Sequence, residues 1–383
     1  MDWICSSHIA RICTRLMIGL CSVLAPCLYA EEPSRWPLFR GNSAGTGVAT
    51  AALPKNLELL WSFRTDDAFF AATAVIARGI IFIGDAEAKF YAIDLKTGKE
   101  IWSREVELGF LGSAAVQDGR VVVGDSDGVI HCMDAKNGKT LWEQRTDAEI
   151  NSSPNFFQQS VLIGSQNGTL YRLNLADGKI LWQYTIEASG GIQCAPTLEG
   201  KHTFICGCDG QLHVIDVVTG TPLETIEIGN PTLSTPAVYG ADVYFGTEGA
   251  KLFGVDWQKK KILWTYQNPR RKISYRSSPA VTTDAVVIGG RNQLVEKIDR
   301  RTGTSRWSFR TKGRVDSSPV IAGNRVFVGS TDGRLYGLDL ESGDLVWSYD
   351  SGGAFTASPA VADGRLVIGN DDGVLYCFGK KEA

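Results

Sequence analysis

The stretch from Val326 to Trp347, VFVGSTDGRLYGLDLESGDLVW, decides the fold of this chain. It reads as three short strands, because apolar residues alternate up to Gly329, again over Leu335–Leu340, and again before the tryptophan. The Asp332-Gly333 pair is a strong hairpin signal, since glycine adopts the positive φ that tight turns need. A three-stranded unit has two apolar faces that it cannot cover alone, so the pattern predicts several copies packed together.

The closing turn of this unit recurs in the form Asp-x3-Gly-x3-Trp. The pattern starts at Asp94, Asp134, Asn174, Asp216, Asp256, Asp299 and Asp339. The intervals are 40–43 residues, and a period near 40 with several strands per repeat is typical of a β-propeller. Two copies are degenerate, since Glu224 replaces one tryptophan and Lys260 replaces one glycine.

Eight copies of the first three strands follow one another along the chain. Their first strands begin near Thr73, Ala114, Pro154, Pro196, Pro236, Pro279, Pro319 and Pro359. The eighth copy stops at Gly379 without a fourth strand, whereas Leu57–Thr65 is a fourth strand with no copy before it. Pairing the two chain ends would remove the open sheet edges. The sequence therefore predicts an all-β, eight-bladed propeller of four-stranded antiparallel blades over 57–379, with the last blade closed by the N-terminal strand and a tail at 380–383.

The N-terminus carries the features of an export signal. Within residues 1–30, two arginines precede the apolar run Leu16–Leu24, which is too short to span a bilayer, and a cleavage site follows at Ala30. An alternative is a lipoprotein signal that ends at Cys27. We expect a periplasmic or secreted protein without a transmembrane span, or an outer-membrane lipoprotein if that cysteine is lipidated. Residues 31–56 are expected to form an extended lead-in on the surface.

Charge and residue usage exclude several classes of function. The net charge of −3 provides no positive field for nucleic acid. His131 and His213 stand at the tyrosine position of the third strand, so neither a catalytic triad nor a histidine-rich metal site is expected. Five cysteines follow the leader, so at least one is unpaired within the chain. The sequence leaves open whether Cys194 forms a disulfide with Cys206 or with Cys208.

The repeat Leu-Tyr-x-Leu-Asp-x3-Gly-x3-Trp resembles those of the pyrroloquinoline-quinone (PQQ)-like propeller superfamily, over about 57–379. The lead-in Trp36-Pro37-x-Phe39-Arg40-Gly41 is similar to that of secreted propellers of this type. The resemblance implies that the repeated tryptophans dock between blades as a structural ladder. These residues are Trp61, Trp102, Trp142, Trp182, Trp264, Trp307 and Trp347.

Function is expected where the copies differ from one another. Just before each first strand, the chain approaches one mouth of the central channel, and here the residue type changes from copy to copy. The candidate binding residues at this mouth are Phe70, Leu111, Asn151, Gln193, Leu233, Tyr275, Arg276, Asp316 and Thr356. Arg276 offers a planar donor fork to a carboxylate, and Tyr275 adds an aromatic of the kind enriched at interfaces.

Two functions follow from the resemblance. The first is a non-catalytic, monomeric scaffold that binds an envelope protein, similar to the BamB-type outer-membrane assembly proteins. The second is a quinoprotein dehydrogenase with PQQ and calcium, a class that is longer and often carries two adjacent cysteines over the cofactor. This chain has no adjacent cysteine pair and no large insertion between repeats. The scaffold is therefore the prediction, with no catalytic, cofactor or metal residues.

Overall fold

The computed structural model describes residues 35–65, 68–186 and 190–381, in which strands and turns occur without any helix. Thirty-two strands form eight sheets of four antiparallel strands, which we call blades 1 to 8 in chain order from residue 75. This arrangement confirms the predicted eight-bladed β-propeller. The predicted export signal, with its cysteines and cleavage site, lies outside the described residues.

Each blade has a short first strand at the channel, two middle strands, and an outer fourth strand. Blades 1 and 2 contain β2 (Val75–Ala77), β3 (Ile80–Gly84), β4 (Lys89–Asp94), β5 (Glu100–Glu105), β6 (Ala115–Gln117), β7 (Arg120–Gly124), β8 (Val129–Asp134) and β9 (Thr140–Arg145). Blades 3 and 4 contain β10 (Asn155–Phe157), β11 (Ser160–Gly164), β12 (Thr169–Asn174), β13 (Ile180–Thr185), β14 (Thr197–Glu199), β15 (His202–Cys206), β16 (Gln211–Asp216) and β17 (Pro222–Glu227). Blades 5 and 6 contain β18 (Ala237–Tyr239), β19 (Asp242–Gly246), β20 (Leu252–Asp256), β21 (Lys261–Tyr266), β22 (Ala280–Val281), β23 (Ala285–Gly290), β24 (Leu294–Asp299) and β25 (Ser305–Arg310). Blades 7 and 8 contain β26 (Val320–Ala322), β27 (Arg325–Gly329), β28 (Arg334–Asp339), β29 (Leu345–Asp350), β30 (Ala360–Ala362), β31 (Arg365–Gly369), β32 (Val374–Gly379) and β1 (Glu58–Arg64).

The predicted closure of the ring is confirmed. Strand β1 pairs antiparallel with β32, from Glu58 opposite Gly379 to Arg64 opposite Val374. The last blade therefore combines three C-terminal strands with the N-terminal strand. The indole N–H of Trp347 in blade 7 donates to the Leu57 carbonyl at 3.0 Å, so the seam also carries a contact from the preceding blade.

The repeated tryptophans link consecutive blades. Each indole N–H donates to a backbone carbonyl of the next blade at 2.8–3.1 Å. Six of the indoles also lie against the turn glycine of that blade; a Cβ added at Gly98, for example, would lie 2.5 Å from Trp61 Cδ2. Glycine is required at this position because any side chain would overlap the indole.

The junction between blades 4 and 5 is built differently. Glu224 replaces the tryptophan and Lys260 the glycine, and the Lys260 Nζ lies 2.5 Å from the Glu224 Oε1. Trp257, from the same turn as the lysine, packs back onto Phe204 of blade 4, with ring centroids 5.3 Å apart. The junction that lacks its ladder tryptophan is thus occupied by the Glu224–Lys260 ion pair and by Trp257, which comes from blade 5 instead of blade 4.

The lead-in does not follow the expected surface path. Trp36 and Arg40 are each only 1% exposed. The segment bonds to the inner edges of blades 1 to 7, whose first strands would otherwise leave backbone groups unpaired. Its hydrogen bonds join Trp36 to Ile76, Pro37 to Val116, Ser43 to Asn155 and Leu198, Ala44 to Val238, Thr46 to Val281, and Gly47 and Ala49 to Ile321.

The cysteines of blade 4 have free thiols. Strand β15 ends at Cys206, so this cysteine takes the position that glycine holds at the end of the second strand in the other blades. In blade 1 that glycine is Gly84, where an added Cβ would lie 2.5 Å from Phe110. The repeat equivalent of Phe110 is Thr232, a smaller residue, which explains why a cysteine is tolerated in blade 4.

Candidate functional site: the central channel and its mouth

The first strands surround a central cavity of about 160 Å³. The loops that enter these strands place hydroxyl-bearing residues around it, followed toward the solvent by the variable residues of the mouth. Phe39 of the lead-in lines the end opposite the mouth. The channel is therefore a pit floored by the lead-in.

A belt of serine and threonine hydroxyls encircles this pit. In seven of the eight blades, a backbone N–H donates to the hydroxyl of the next blade at 2.8–3.1 Å. The donor–acceptor pairs are Thr73–Ser113, Ser113–Ser153, Ala195–Thr235, Thr235–Ser278, Ser278–Ser318, Ser318–Ser358 and Ser358–Thr73. The belt is interrupted between blades 3 and 4, where Ala195 has no hydroxyl for the N–H of Ser153.

Beneath the belt, the Arg40 guanidinium is buried without a carboxylate partner among the described residues. Its Nη atoms donate to the carbonyls of Ser318, Pro279 and Pro319 at 3.3, 3.2 and 2.5 Å. Burial lowers the pKa of Arg40 to about 9. Carbonyl dipoles therefore compensate this charge, and the arginine ties the lead-in to blades 6 and 7.

Seven of the nine sequence-predicted mouth residues line the cavity. They are Leu111, Asn151, Gln193, Leu233, Arg276, Asp316 and Thr356. Phe70 does not line it: this residue is fully buried, and a Cβ at Gly369 would lie 2.4 Å from its own Cβ. Ala71 takes its place, because Ala74 and not Thr73 is the repeat equivalent of the first-strand proline.

Tyr275 also differs from its predicted role as an exposed interface aromatic. It is 1% exposed and donates its hydroxyl to the Glu296 carboxylate at 2.7 Å. Glu296 is itself fully buried and receives further hydrogen bonds from Tyr266 and Asn268 at 2.7 and 2.8 Å. Burial first, and then the charge of Glu296, raises the pKa of Tyr275. This cluster fixes the base of the loop that carries Arg276.

The charged residues of the mouth are paired with partners that the sequence analysis missed. Arg276 Nε donates to Glu248 Oε1 at 2.7 Å, so the fork expected to be free for a partner is occupied. Asp316 accepts two hydrogen bonds from Arg291, at 2.7 and 3.0 Å. Glu248 and Arg291 lie in the turns between second and third strands, where the other copies carry mostly small or acidic residues. A comparison of those turns would have identified them.

The histidines lie in hydrogen-bonded positions away from the pit. His131 Nε2 lies 2.7 Å from an Asp125 oxygen, and His213 Nε2 lies 2.7 Å from an Asp209 oxygen. Tyr336 makes the equivalent of the His213 contact with Asp332 at 2.7 Å, and Tyr91 makes the equivalent of the His131 contact with Asp85 at 2.9 Å. Both histidines thus substitute for a structural tyrosine. Among the described residues, no group of three or more histidine, cysteine or acidic side chains could hold a metal ion.

Comparisons with known proteins identify relatives of this fold. A family model described as "Outer membrane protein assembly factor BamB" matches residues 46–194, 187–296 and 291–383. No curated protein matches the chain significantly.

Solved structures similar to the chain include a BamB protein and two dehydrogenases. BamB from Moraxella catarrhalis is 20% identical with a TM-score of 0.74, over 85% of this chain and 100% of that one. A quinohemoprotein alcohol dehydrogenase from Comamonas testosteroni is 16% identical with a TM-score of 0.76, over 91% and 81%. A europium-containing methanol dehydrogenase is 13% identical with a TM-score of 0.77, over 91% and 99%. At identities this low, the likeness shows the fold alone.

Proposed function

The chain belongs to the family of the outer membrane protein assembly factor BamB, and from this premise we propose that it is an exported, non-catalytic propeller that binds a protein partner in the cell envelope. The family match across the repeats is the observation that carries the proposal. The expected compartment is the periplasm or the exterior, with lipidation at Cys27 as the alternative to cleavage after Ala30. No helix in the described part of the chain has the length and hydropathy that a membrane span needs.

The mouth of the channel is the proposed binding surface. The ladder and turn residues repeat from blade to blade, whereas the mouth presents apolar, amide and charged side chains at equivalent positions. A partner can distinguish one blade from another only on a surface where the blades differ. Exposed apolar side chains on the mouth loops, Leu108, Leu111 and Ile273, provide area to bury.

The second candidate, a PQQ and calcium dehydrogenase, is favoured by the shared fold of the two dehydrogenases. The residues of this chain do not fit that cofactor. The cavity of about 160 Å³ is smaller than the roughly 300–1,000 Å³ typical of ligand pockets. Below the mouth its walls are mostly serine, threonine and alanine, and at the mouth Asp316 is already paired to Arg291 and Arg276 to Glu248.

Co-purification of envelope proteins tests the proposal. We expect removal of the mouth ion pair (Arg276→Ala with Glu248→Ala) to abolish recovery of the partner without changing net charge. The matched control removes an exposed pair in the closing turn of blade 3 (Lys179→Ala with Asp177→Ala) and should retain the partner. Loss with the control pair alone would move the surface away from the mouth. Stoichiometric PQQ binding with dye reduction on a simple alcohol would refute the scaffold and support the dehydrogenase.

A further inference from the structure

The face of the propeller that carries the mouth holds its charges in two opposite sectors. This face is formed by the loops that enter the first strands and by the turns between second and third strands. In these segments, blades 6 and 7 carry more basic than acidic side chains, the acidic ones being Asp316 and Asp332. The basic ones are Arg270, Arg271, Lys272, Arg276, Arg291, Lys312 and Arg314. Blades 2 and 3, on the opposite side of the ring, carry only acidic side chains there. These are Glu107, Asp125, Asp127, Asp147 and Glu149.

Four of the basic side chains in blades 6 and 7 have no partner in the part of the chain that the structure describes. Arg276 and Arg291 form the ion pairs of the mouth, and Arg271 Nη1 donates to the Asn292 carbonyl at 2.7 Å. The remaining four are exposed, and no described residue forms an ion pair or a side-chain hydrogen bond with them. We call these four residues the basic ridge: Arg270, Lys272, Lys312 and Arg314.

The blade 6 half of the basic ridge lies on an extended but anchored loop. This loop is three residues longer than the loop into blade 7, measured from the outer tryptophan to the first-strand proline. Asn268 Oδ1 accepts from the backbone N–H groups of Arg270 and Arg271, each at 3.0 Å. Asn268 Nδ2 donates in turn to the buried Glu296 carboxylate at 2.8 Å. The added residues are therefore held in place, with two of their three cations directed to solvent.

The blade 7 half of the basic ridge is anchored to the neighbouring turn. The Lys312 N–H donates to the Asp332 carboxylate at 2.8 Å, and the Arg314 N–H donates to the Thr331 hydroxyl at 2.9 Å. Both contacts use backbone groups, so the two cationic side chains stay free. Binding at the basic ridge therefore orders side chains but not the backbone, which lowers its entropic cost.

An acidic polypeptide segment matches the chemistry of the basic ridge. Four uncompensated positive charges on two neighbouring loops attract carboxylates and speed association with an acidic partner. Ile273, in the same loop as Lys272, is 48% exposed and offers apolar contact to such a segment. The ridge thus combines charge with an apolar side chain, as protein interfaces do.

An anionic membrane fits this face less well than a polypeptide does. A surface of uniform negative charge across the mouth would also meet the exposed carboxylates of Glu107, Asp147 and Glu149 on blades 2 and 3. Like charges repel, so that half of the contact would be unfavourable. A polypeptide carries its charges unevenly and can place an acidic segment on blades 6 and 7 alone.

We propose that the basic ridge of blades 6 and 7 is the docking site for an acidic segment of the protein partner. This inference rests on the proposed function, to which it adds the charge of the partner and the side of the mouth that the partner covers. The acidic sector on blades 2 and 3 sets the orientation, because an acidic segment turned toward that side would be repelled.

Fluorescence anisotropy on the full mature chain tests the basic ridge with a labelled peptide of glutamates and leucines as the probe. The matched control peptide has glutamine in place of every glutamate. We expect the glutamate peptide to bind about tenfold more tightly than the glutamine peptide at low salt. Most of this difference should disappear at about 0.3 M salt, because exposed charges are already screened over about 10 Å at 0.1 M.

Two charge-reversal variants locate the peptide on the surface. Arg270→Glu with Lys272→Glu reverses half of the basic ridge and should weaken the glutamate peptide about tenfold. The matched control, Lys136→Glu with Lys139→Glu, reverses two exposed lysines on the opposite face and changes the net charge by the same amount. It should change the affinity less than about twofold. Equal weakening by both variants would show that net charge attracts the peptide, and the proposal would be wrong.

Two further measurements separate the alternatives. Binding of phosphatidylglycerol vesicles through the basic ridge, without binding of the glutamate peptide, would overturn the proposal in favour of an anionic membrane. In the co-purification assay, loss of the envelope partner from the ridge variant supports the proposal. A partner retained by the ridge variant but lost with Arg276→Ala and Glu248→Ala would overturn the ridge and leave the proposed function standing.

Discussion

Replacing Glu224 by tryptophan and Lys260 by glycine converts the blade 4–5 junction into the form found at six other junctions. On the sequence alone, Glu224→Trp should be neutral or stabilising, because it restores the ladder. The ion pair with Lys260 reverses this expectation for the single change. The indole would meet the side chain that replaces glycine, and at the equivalent Gly220 an added Cβ would lie only 2.7 Å from Trp182.

The size of the effect follows from these contacts. Overpacking of this kind costs about 1–3 kcal/mol, and loss of the partly exposed ion pair adds about 0–1 kcal/mol. Lys260→Gly alone should lie near neutrality, because relief of the left-handed φ of 55° offsets the lost pair and the added chain entropy. The double variant removes the overlap and buries an indole against glycine. We therefore expect a favourable coupling energy of about 2–3 kcal/mol.

Chemical denaturation followed by circular dichroism on the four proteins of the cycle measures this coupling. The matched control is the reverse exchange at the next junction, Trp182→Glu with Gly220→Lys, where the single tryptophan change should cost about 3–5 kcal/mol. The double change there should recover part of that loss through a new ion pair. Additivity within about 0.5 kcal/mol in the first cycle would refute the account of this junction.

Three further predictions concern the N-terminal segments, the buried Tyr275 and Cys194. Deleting 57–65 should lower the melting temperature strongly, because it removes the strand that closes the ring. Deleting 35–54 should also lower it, because the lead-in bonds to seven blades. A lead-in deletion that melts like the full chain would contradict the second expectation. Burial raises the pKa of Tyr275, so the unfolded state releases its proton first and stability should fall as pH rises above about 10. Tyr275→Phe should make this fall shallower in urea melts from pH 8 to 11, and an unchanged slope would show that other groups cause it. Cys194→Ser should change stability by less than about 1 kcal/mol, since Ser277 makes the equivalent contacts with hydroxyl geometry; a larger loss in urea denaturation would contradict this equivalence.

The candidate site could be located from the sequence only in part. Counting back from each first strand identified seven residues that line the cavity, because the repeat register carries over from blade to blade. The count failed at Phe70, where no proline marks the register and a shift of one residue exchanges a lining position for a buried one. It also placed Tyr275 at the surface, because the Glu296 carboxylate that binds its hydroxyl lies further along the chain, in the third strand of blade 6.

The repeat by itself determined the strands, the number of blades and the closure of the ring. These depend on local signals, Asp-Gly turns and alternating apolar residues, and on a period that leaves one extra strand at the N-terminus and a copy one strand short at the C-terminus. Only the tertiary structure decided that the lead-in closes one end of the channel and which charges meet at its mouth. No local pattern encodes contacts between residues that are distant in sequence. Arg40 of the lead-in is buried against blade 6, and the pairs Arg276–Glu248 and Glu224–Lys260 each join two different blades. The contacts at the mouth arise because ring closure places eight loops of different sequence around one small cavity. The charged side chains of one loop then pair with residues from another part of the chain.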